Sequence, residues 1–224
     1  MTTTDPVAHA LDLAKLVPSS AGADVRLLGD RPVVWVEFAE GDDIIRLTSG
    51  TASLISTAAD TARQQSMPLV LVIATAGADI VEGVPALHGW GLVAAAMTTC
   101  SGVVPTTVIV DGPAVSGPAL LLGLADFAVM TNDSYAFVNG PVMVEQFTGV
   151  GIDAEELGGA ANHARYTGVP CAVVADRAAA IETVETILSY LPSHVDEEPP
   201  RHVTNDPADR PCPEAGHEIP ESST

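Results

Sequence analysis

Continuously apolar segments alternate along this chain with segments whose apolar residues recur every three to four positions. The first kind predicts strands buried on both faces at residues 69–74 and 104–110. The second kind predicts helices at residues 49–65 and 85–99. Because strands and helices follow one another in turn, the pattern predicts an α/β fold whose mainly parallel sheet is covered by helices.

Weaker patterns complete the predicted fold. Either Ser49 or Thr51 is expected to cap the helix that begins there. The other predicted elements are helices at residues 7–17, 141–147, 153–157 and 177–191, strands at residues 24–29, 32–39, 126–131, 134–138 and 171–175, and an acidic loop at residues 40–43. Residues 193–224 are rich in Pro, Asp and Glu, which indicates an irregular tail. We therefore expect one domain over residues 1–192 and an acidic, proline-rich tail over residues 193–224.

The segment GPAVSGPALLLGLADF, residues 112–127, joins a predicted buried strand to a predicted buried helix that ends near Leu124. Its connecting turn consists of small residues and prolines: Gly112, Pro113, Ser116, Gly117 and Pro118. A strand–turn–helix connection presents unpaired backbone N–H groups, and small residues let a ligand approach them. The turn is equally consistent with a tight packed connection and with an oxyanion hole, in which amides stabilise a developing negative oxygen.

A second turn of small residues, ATAGADIVEG at residues 74–83, follows the neighbouring buried strand. Open α/β sheets bind ligands at the carboxyl ends of their strands. Both turns are therefore candidates for the ligand site.

Composition and charge exclude several classes of function. The formal net charge is −20 and Lys15 is the only lysine, so nucleic-acid binding is excluded. Cys100, Cys171 and Cys212 form no CxxC pair, so neither a zinc site nor a disulfide framework is predicted, and no metal site is expected. The chain shows no signal-peptide pattern and no apolar run long enough for a membrane span, which predicts a cytoplasmic protein.

Several longer motifs occur in one order along the chain. They are ADIVEGVPALHGWG at 78–91, GPAVSGPALLLGLADFAVMTNDSYAFVNGP at 112–141, EELGGAANHARYTGV at 155–169, YLPS at 190–193, DPADR at 206–210 and IPESST at 219–224. Together they resemble the carboxyltransferase subunits of biotin-dependent acyl-CoA carboxylases, in the crotonase (ClpP-like) superfamily. The resemblance covers residues 48–224 and the N-terminal half of such a subunit only.

The resemblance implies a single crotonase-like domain with a ββα superhelix. It implies transfer of a carboxyl group between biotin on a carrier protein and an acyl-CoA or acyl-carrier thioester. No cofactor is expected to be tightly bound. A separate subunit should supply the C-terminal carboxyltransferase half, with which this chain forms a hetero-oligomer, and a biotin carrier is a further expected partner.

The resemblance also places site residues. The family's amide pair, which forms the oxyanion hole, falls on Ser116 and Gly117. The family's glycine-rich turn falls on the substrate-binding candidates Ala76, Gly77 and Ala78, and Tyr135 and Asn139 are candidates for lining the same pocket. The chain departs from the family pattern, and the departures that bear most on the site are Ser116 for Gly, Pro118 for Ala and Asp79 for Arg. Pro118 has no N–H, and Asp79 would repel the phosphates of CoA.

Two alternatives remain open. The chain could belong to a biotin-independent decarboxylase or acyl-transfer enzyme of specialised metabolism, or it could be a non-catalytic half that scaffolds an active partner. A structural role is favoured over a catalytic one for His163, helix capping for Glu82, and core packing for Cys100. Ser116 is disfavoured as a nucleophile, because no histidine or acid can be paired with it.

Overall fold

The computed structural model describes residues 21–38, 45–201, 203–207 and 209–213. The predicted helix at 7–17, the acidic loop at 40–43 and the end of the tail lie outside these residues. The strands are β1 (Ala21–Leu28), β2 (Arg31–Phe38), β3 (Ile45–Leu47), β4 (Leu69–Ala78), β5 (Thr106–Val115), β6 (Phe127–Thr131), β7 (Tyr135–Phe137) and β8 (Ala172–Val174). The helices are α1 (Ser49–Gln65), α2 (Val84–Cys100), α3 (Leu121–Leu124), α4 (Pro141–Thr148), α5 (Ala154–Gly158), α6 (Ala160–Asn162) and α7 (Arg177–Ser189).

The described strands form one sheet whose main path runs β1-β2-β4-β5-β6-β8. Strand β1 is antiparallel to β2, and the other pairs are parallel. Strands β3 and β7 pair instead with the carboxyl-terminal parts of β4 and β5. The mainly parallel α/β sheet predicted from the apolar runs is therefore present.

The two central strands, β4 and β5, pair with different neighbouring strands in their first and second halves. The register between β4 and β5 shifts between Ile73 and Thr75, and Gly112 has φ +134° at the same level. A Cβ atom on Gly112 would lie 3.3 Å from the Cβ of Ala74, so the two strands approach closely where they bend. Small residues at this level allow each strand to leave the main layer and pair with β3 or β7.

Helices cover both faces of the sheet, which explains why the central strands are apolar throughout. On one face, α1 and α2 pack over a core that includes Val34, Leu71 and Val108. On the other face, Ala180, Val184 and Leu188 of α7 pack over alternate strand residues, including Val70, Val72 and Ile109.

Cys100 is fully buried at the end of α2, and its thiol donates to the carbonyl oxygen of Ala59 at 3.3 Å. Burial raises the pKa of this thiol to about 11. The predicted core role of Cys100 is confirmed.

The start of α1 differs from the prediction. The capping residue is Thr48 rather than Ser49 or Thr51, since its hydroxyl accepts a hydrogen bond from the Thr51 N–H at 3.1 Å. The Glu82 carboxylate accepts a second bond from the Ser49 N–H at 2.7 Å and contacts the Ser49 hydroxyl. Glu82 therefore caps α1, from which it is distant in sequence, and not the helix that follows it.

Both central strands are longer than the sequence predicted. Strand β4 continues to Ala78 and β5 to Val115, so much of each predicted turn is extended strand. The predicted buried helix after Gly117 does end at Leu124, but it is not one continuous α-helix. A 3-10 turn, Gly117–Leu120, is followed by the single helical turn of α3, and the side chain of Leu120 is half exposed.

The tail begins on the surface of the domain. The Val195 N–H donates to the Val103 carbonyl oxygen at 2.9 Å, and no helix or strand occurs after α7 among the described residues. The division into a domain and a tail stays a prediction. No helix within the described ranges is long and apolar enough to cross a bilayer.

The packing of α1 against α2 gives a first testable prediction. A Cβ atom on Gly89 would lie 2.7 Å from the Cβ of Ala52, so Gly89→Ala should overpack this contact and lower the free energy of unfolding by about 1–3 kcal/mol. Gly91, two residues along the same helix, has no atom within 4 Å of its Cβ position. Gly91→Ala should therefore raise stability by about 0.5–1 kcal/mol. Urea unfolding of both variants measures the difference, and equal effects would contradict the predicted contact.

Candidate active site

The ends of β4 and β5 meet at the two predicted small-residue segments. Gly77 has φ +99°, and a Cβ atom on it would lie 3.0 Å from the Val115 carbonyl oxygen and 3.1 Å from the Ser116 Cβ. No side chain fits at Gly77 without displacing the neighbouring backbone. The structure therefore brings Gly77 together with Ser116, from separate parts of the chain.

The end of β4 is held in its own conformation by a buried hydroxyl. Thr75 is almost fully buried, and its Oγ1 accepts a hydrogen bond from the Gly77 N–H at 3.1 Å. The Gly77 amide is therefore already bonded within the chain. Ala76 is exposed and Ala78 is half-buried.

Ser116 connects β5 to the following 3-10 turn in a conformation that L-residues rarely adopt. Its φ is +65° and its ψ is −135°. Its backbone N–H donates to the Phe137 carbonyl oxygen at 2.9 Å, whereas its side chain is exposed. The amide expected to serve in an oxyanion hole is thus occupied by a backbone bond to the end of β7.

Gly117 begins the 3-10 turn, and its N–H has no hydrogen-bond partner among the described residues. A Cβ atom on Gly117 would lie 2.8 Å from Cδ2 of Trp90, so the backbone at this position rests directly on the indole ring. Pro118 follows and is buried. The turn therefore offers one unbonded amide, at Gly117, with an apolar ring beneath it.

The loop after Gly77 is ordered by two carboxylates. Asp79 Oδ1 accepts a hydrogen bond from the Val81 N–H at 2.9 Å, and the Asp79 N–H donates to the Leu47 carbonyl oxygen at 2.9 Å. Glu82, as described above, bonds to the start of α1. The Asp79 carboxylate thus has a role in shaping the loop as well as carrying a negative charge.

The two remaining candidates lie after β6. Tyr135 stacks on Phe137 with ring centroids 5.4 Å apart and lines a surface cavity of about 280 Å³. The cavity's other lining residues are Asn132, Asp133, Ser134, Ala154 and Glu155. Ser116 is not among them, so Tyr135 faces a neighbouring cavity, and Asn139 is exposed.

His163 is held by the protein itself. Its Nε2 donates to the Ala136 carbonyl oxygen at 2.8 Å, and its Nδ1 lies 3.0 Å from the Thr167 hydroxyl oxygen. Gly158 is similarly constrained, since a Cβ atom there would lie 2.2 Å from the Ala136 carbonyl oxygen. His163 thus holds the segment after α5 to β7, and Gly158 lets the end of α5 pack closely against β7, which supports the structural role predicted for His163.

A charged cluster on the α7 face of the sheet was not predicted from the sequence. Arg177 contacts the Glu37 carboxylate, and its Nε lies 3.7 Å from Asp111 Oδ2. Glu37 also accepts hydrogen bonds from the Trp35 indole at 3.0 Å and from Arg26 at 3.2 Å. The cluster joins α7 to β2 and β5 at residues too far apart in sequence to form a recognisable motif.

Comparison with known proteins identifies the family. The carboxyl transferase domain family matches residues 41–224, which is most of the chain. The chain belongs to the carboxyl transferase domain family. The resemblance seen in the sequence motifs is confirmed.

The relatives of this carboxyl transferase chain are longer than it is. The carboxyltransferase subunit of propionyl-CoA carboxylase from Haloferax mediterranei is 34% identical over 163 residues, which make up 72% of this chain and 32% of that protein. The mitochondrial propionyl-CoA carboxylase beta chain from Homo sapiens is 32% identical over 179 residues, or 80% of this chain and 33% of that protein. The chain spans about a third of the length of these relatives.

Solved structures share the carboxyl transferase fold. Transcarboxylase 12S matches with a TM-score of 0.78 and 28% identity, over 90% of this chain and 39% of that chain. A chain of the Pseudomonas malonate decarboxylase MdcD–MdcE hetero-dimer matches with a TM-score of 0.66 and 18% identity, over 85% of this chain and 88% of that chain. The predicted crotonase-like fold is confirmed.

The contact between Gly117 and Trp90 gives a second prediction. Gly117→Ala should displace the indole ring, shift the tryptophan fluorescence and lower stability by about 1–3 kcal/mol, because the new Cβ overlaps the ring. Gly123→Ala is the matched control, since nothing lies within 4 Å of its Cβ position. An unchanged emission spectrum in the Gly117 variant would contradict the contact.

Proposed function

We propose that this chain is one half of a split carboxyltransferase, which transfers a carboxyl group between biotin and an acyl thioester. The observation that carries the proposal is the convergence of Gly77 with Ser116 and the unbonded Gly117 amide, in a member of the carboxyl transferase family. The separate chain that supplies the other half belongs to the proposal, and support for it comes from the exposed apolar surface.

The chain's own contribution to the reaction is electrostatic. The Gly117 N–H donates to the thioester oxygen as negative charge develops there, and the Trp90 ring beneath it excludes water from one side. Carboxybiotin on its carrier supplies the carboxyl group when it is bound. Gly77 is buried, and the absence of a side chain there lets Val115 and Ser116 pack directly against the end of β4.

Large apolar side chains are exposed on segments that leave this site. They are Ile80, Val81, Val84 and Leu87 after Gly77, Leu120 after Gly117, and Val138, Val142, Met143, Phe147 and Val150 after β7. Helix α4 has eight residues and none is buried. A helix of this length is not stable alone in water, and exposed apolar surface of this kind marks an interaction site. Both facts support a partner subunit that covers α4.

The decarboxylase alternative is compatible with the fold, since a chain of the Pseudomonas malonate decarboxylase hetero-dimer matches this chain with a TM-score of 0.66. A biotin-independent decarboxylase is therefore the second candidate. The need for a biotin carrier separates the two functions.

The experiment that tests the proposal is reconstitution. The full chain is co-expressed with a chain that carries the second carboxyltransferase half, and carboxylation of acyl thioesters is measured with and without biotinylated carrier protein. Carboxylation that requires the carrier supports the proposal. Decarboxylation of malonyl thioesters without the carrier would favour the alternative, and a stable complex without either activity would indicate a scaffold.

The proposed partner surface gives a third prediction. Replacing both Met143 and Phe147 by Ser should weaken the complex at least tenfold, because buried aromatic and Met side chains contribute about 2 kcal/mol or more at interface centres. Leu27→Ser is the control, since Leu27 is 72% exposed on β1, away from the site. Analytical ultracentrifugation of each variant with the partner measures the effect. Equal affinities for the double variant and the control would contradict an interface at α4.

The charge at Asp79 gives a fourth prediction. Asp79→Asn keeps an oxygen that can accept from the Val81 N–H but removes the charge, so the loop should remain intact. Binding of a CoA thioester to the assembled complex should tighten by about 1 kcal/mol, roughly fivefold, and the gain should shrink as salt is added. Calorimetry with the corresponding pantetheine thioester, which lacks the nucleotide phosphates, is the control and should show no gain. An equal effect on both thioesters would contradict a phosphate position near Asp79.

A further inference from the structure

We propose that the Ser116 hydroxyl, and not its amide, is the second donor to the thioester oxyanion, acting together with the Gly117 amide. This inference rests on the thioester site proposed above. It gives the serine side chain a catalytic role at a position where the family resemblance predicted only a backbone contribution.

The Ser116 amide is already engaged within the protein. It donates to the Phe137 carbonyl oxygen at 2.9 Å, a bond that holds the end of β5 to the end of β7. An N–H group has one hydrogen to donate, so this amide serves an oxyanion only if the backbone bond is broken. Pro118 has no N–H at all, and the Ala119 N–H donates to the Ser116 carbonyl oxygen at 3.1 Å. The Gly117 amide is therefore the unbonded one in residues 116–119.

The Ser116 hydroxyl is available. The side chain is exposed, and no hydrogen bond joins its Oγ to any of the described residues. It lies against Gly77, where only a glycine leaves room for it, since a Cβ atom on Gly77 would lie 3.1 Å from the Ser116 Cβ. The side chain thus stands at the point where the two strand ends meet.

The backbone conformation at Ser116 is one that glycine adopts more easily. A φ of +65° costs a residue with a Cβ of the order of 1–3 kcal/mol. Serine at this position therefore has an energetic cost that glycine would avoid, and its side chain forms no compensating hydrogen bond in the described part of the chain. A role toward a ligand accounts for the serine where packing does not.

Other enzymes place a serine at a strained turn between a strand and a helix, where it lies beside the N–H of the next residue. In that arrangement both groups face one carbonyl of the substrate. Here the corresponding groups are the Ser116 Oγ and the Gly117 N–H. No histidine or carboxylate among the described residues forms a hydrogen bond with Ser116, so no base activates it as a nucleophile. The hydroxyl keeps its proton and acts as a hydrogen-bond donor.

The test uses the full chain and two stable thioether analogues of a pantetheine thioester. Carboxymethyl-pantetheine carries an anionic oxygen, and carbamoylmethyl-pantetheine is its neutral counterpart. Binding of each is measured by calorimetry and by tryptophan fluorescence, to which Trp90, beside Gly117, contributes together with Trp35. Comparing the ratio of the two affinities between variants cancels the general repulsion of anions by this acidic chain.

Both Ser116→Ala and Ser116→Gly should lower the preference for the anionic analogue at least about tenfold, the size expected for a hydrogen bond to a charged group. The glycine variant relieves the strain at φ +65°, so its thermal midpoint should rise by about 2–4 °C or more while the preference is still lost. Thr186→Ala removes an exposed hydroxyl on α7 and should change neither quantity.

Other outcomes would overturn the inference in distinguishable ways. If both analogues bind and the preference is unchanged in both serine variants, the hydroxyl is not a donor, although the proposed thioester site stands. A loss in the glycine variant alone would assign the effect to the relaxed backbone and not to the hydroxyl, since alanine lacks the hydroxyl but keeps the strained φ. An acyl group found on Ser116 by mass spectrometry after incubation with a propionyl thioester would make the residue a nucleophile. If neither analogue binds the wild-type chain or its complex with the second half, the proposed function itself fails.

Discussion

The close approach of two backbones at Gly77 and Ser116 is the constraint on which the site depends. At this point a Cβ atom on Gly77 would lie 3.0 Å from the Val115 carbonyl oxygen, so no other residue type fits without moving the strand ends apart. Because the strand ends stay together, the Ser116 side chain lies where β4 and β5 meet, and the unbonded Gly117 amide follows it in the chain. The same packing seats Gly117 on the Trp90 ring and fixes Ser116 to Phe137.

The surface around this point has two properties that belong together. Exposed apolar side chains lie on the segments that leave the site, and α4 has no buried residue. A domain that completes its site with a second chain would have both properties, since the apolar segments would then be covered and the second group of oxyanion donors supplied. This connects the proposed partner with the proposed chemistry.

The departures from the family pattern have different consequences in the structure. Pro118 removes an amide, and Ser116 adds a hydroxyl beside the one amide that remains unbonded. Asp79 adds negative charge but also accepts a hydrogen bond that shapes its loop. The three changes therefore do not simply weaken an inherited site. In the proposed mechanism, the Ser116 hydroxyl takes the place of a backbone donor, and the Asp79 charge disfavours a thioester carrier that bears phosphates.

The sequence alone determined the order of the elements, the parallel sheet and the family, because strands buried on both faces are continuously apolar and the motifs lie within contiguous segments. The predicted ends of elements were wrong where small residues show no hydrophobic periodicity. Strands β4 and β5 run farther than predicted, and a 3-10 turn precedes the single turn of helix after Gly117. Only the tertiary structure decided that Glu82 caps α1, that Trp90 lies under Gly117 and that the Ser116 amide is already bonded to Phe137. Each of these contacts joins residues that are distant in sequence, and hydrophobic patterning records burial but not which donor meets which acceptor.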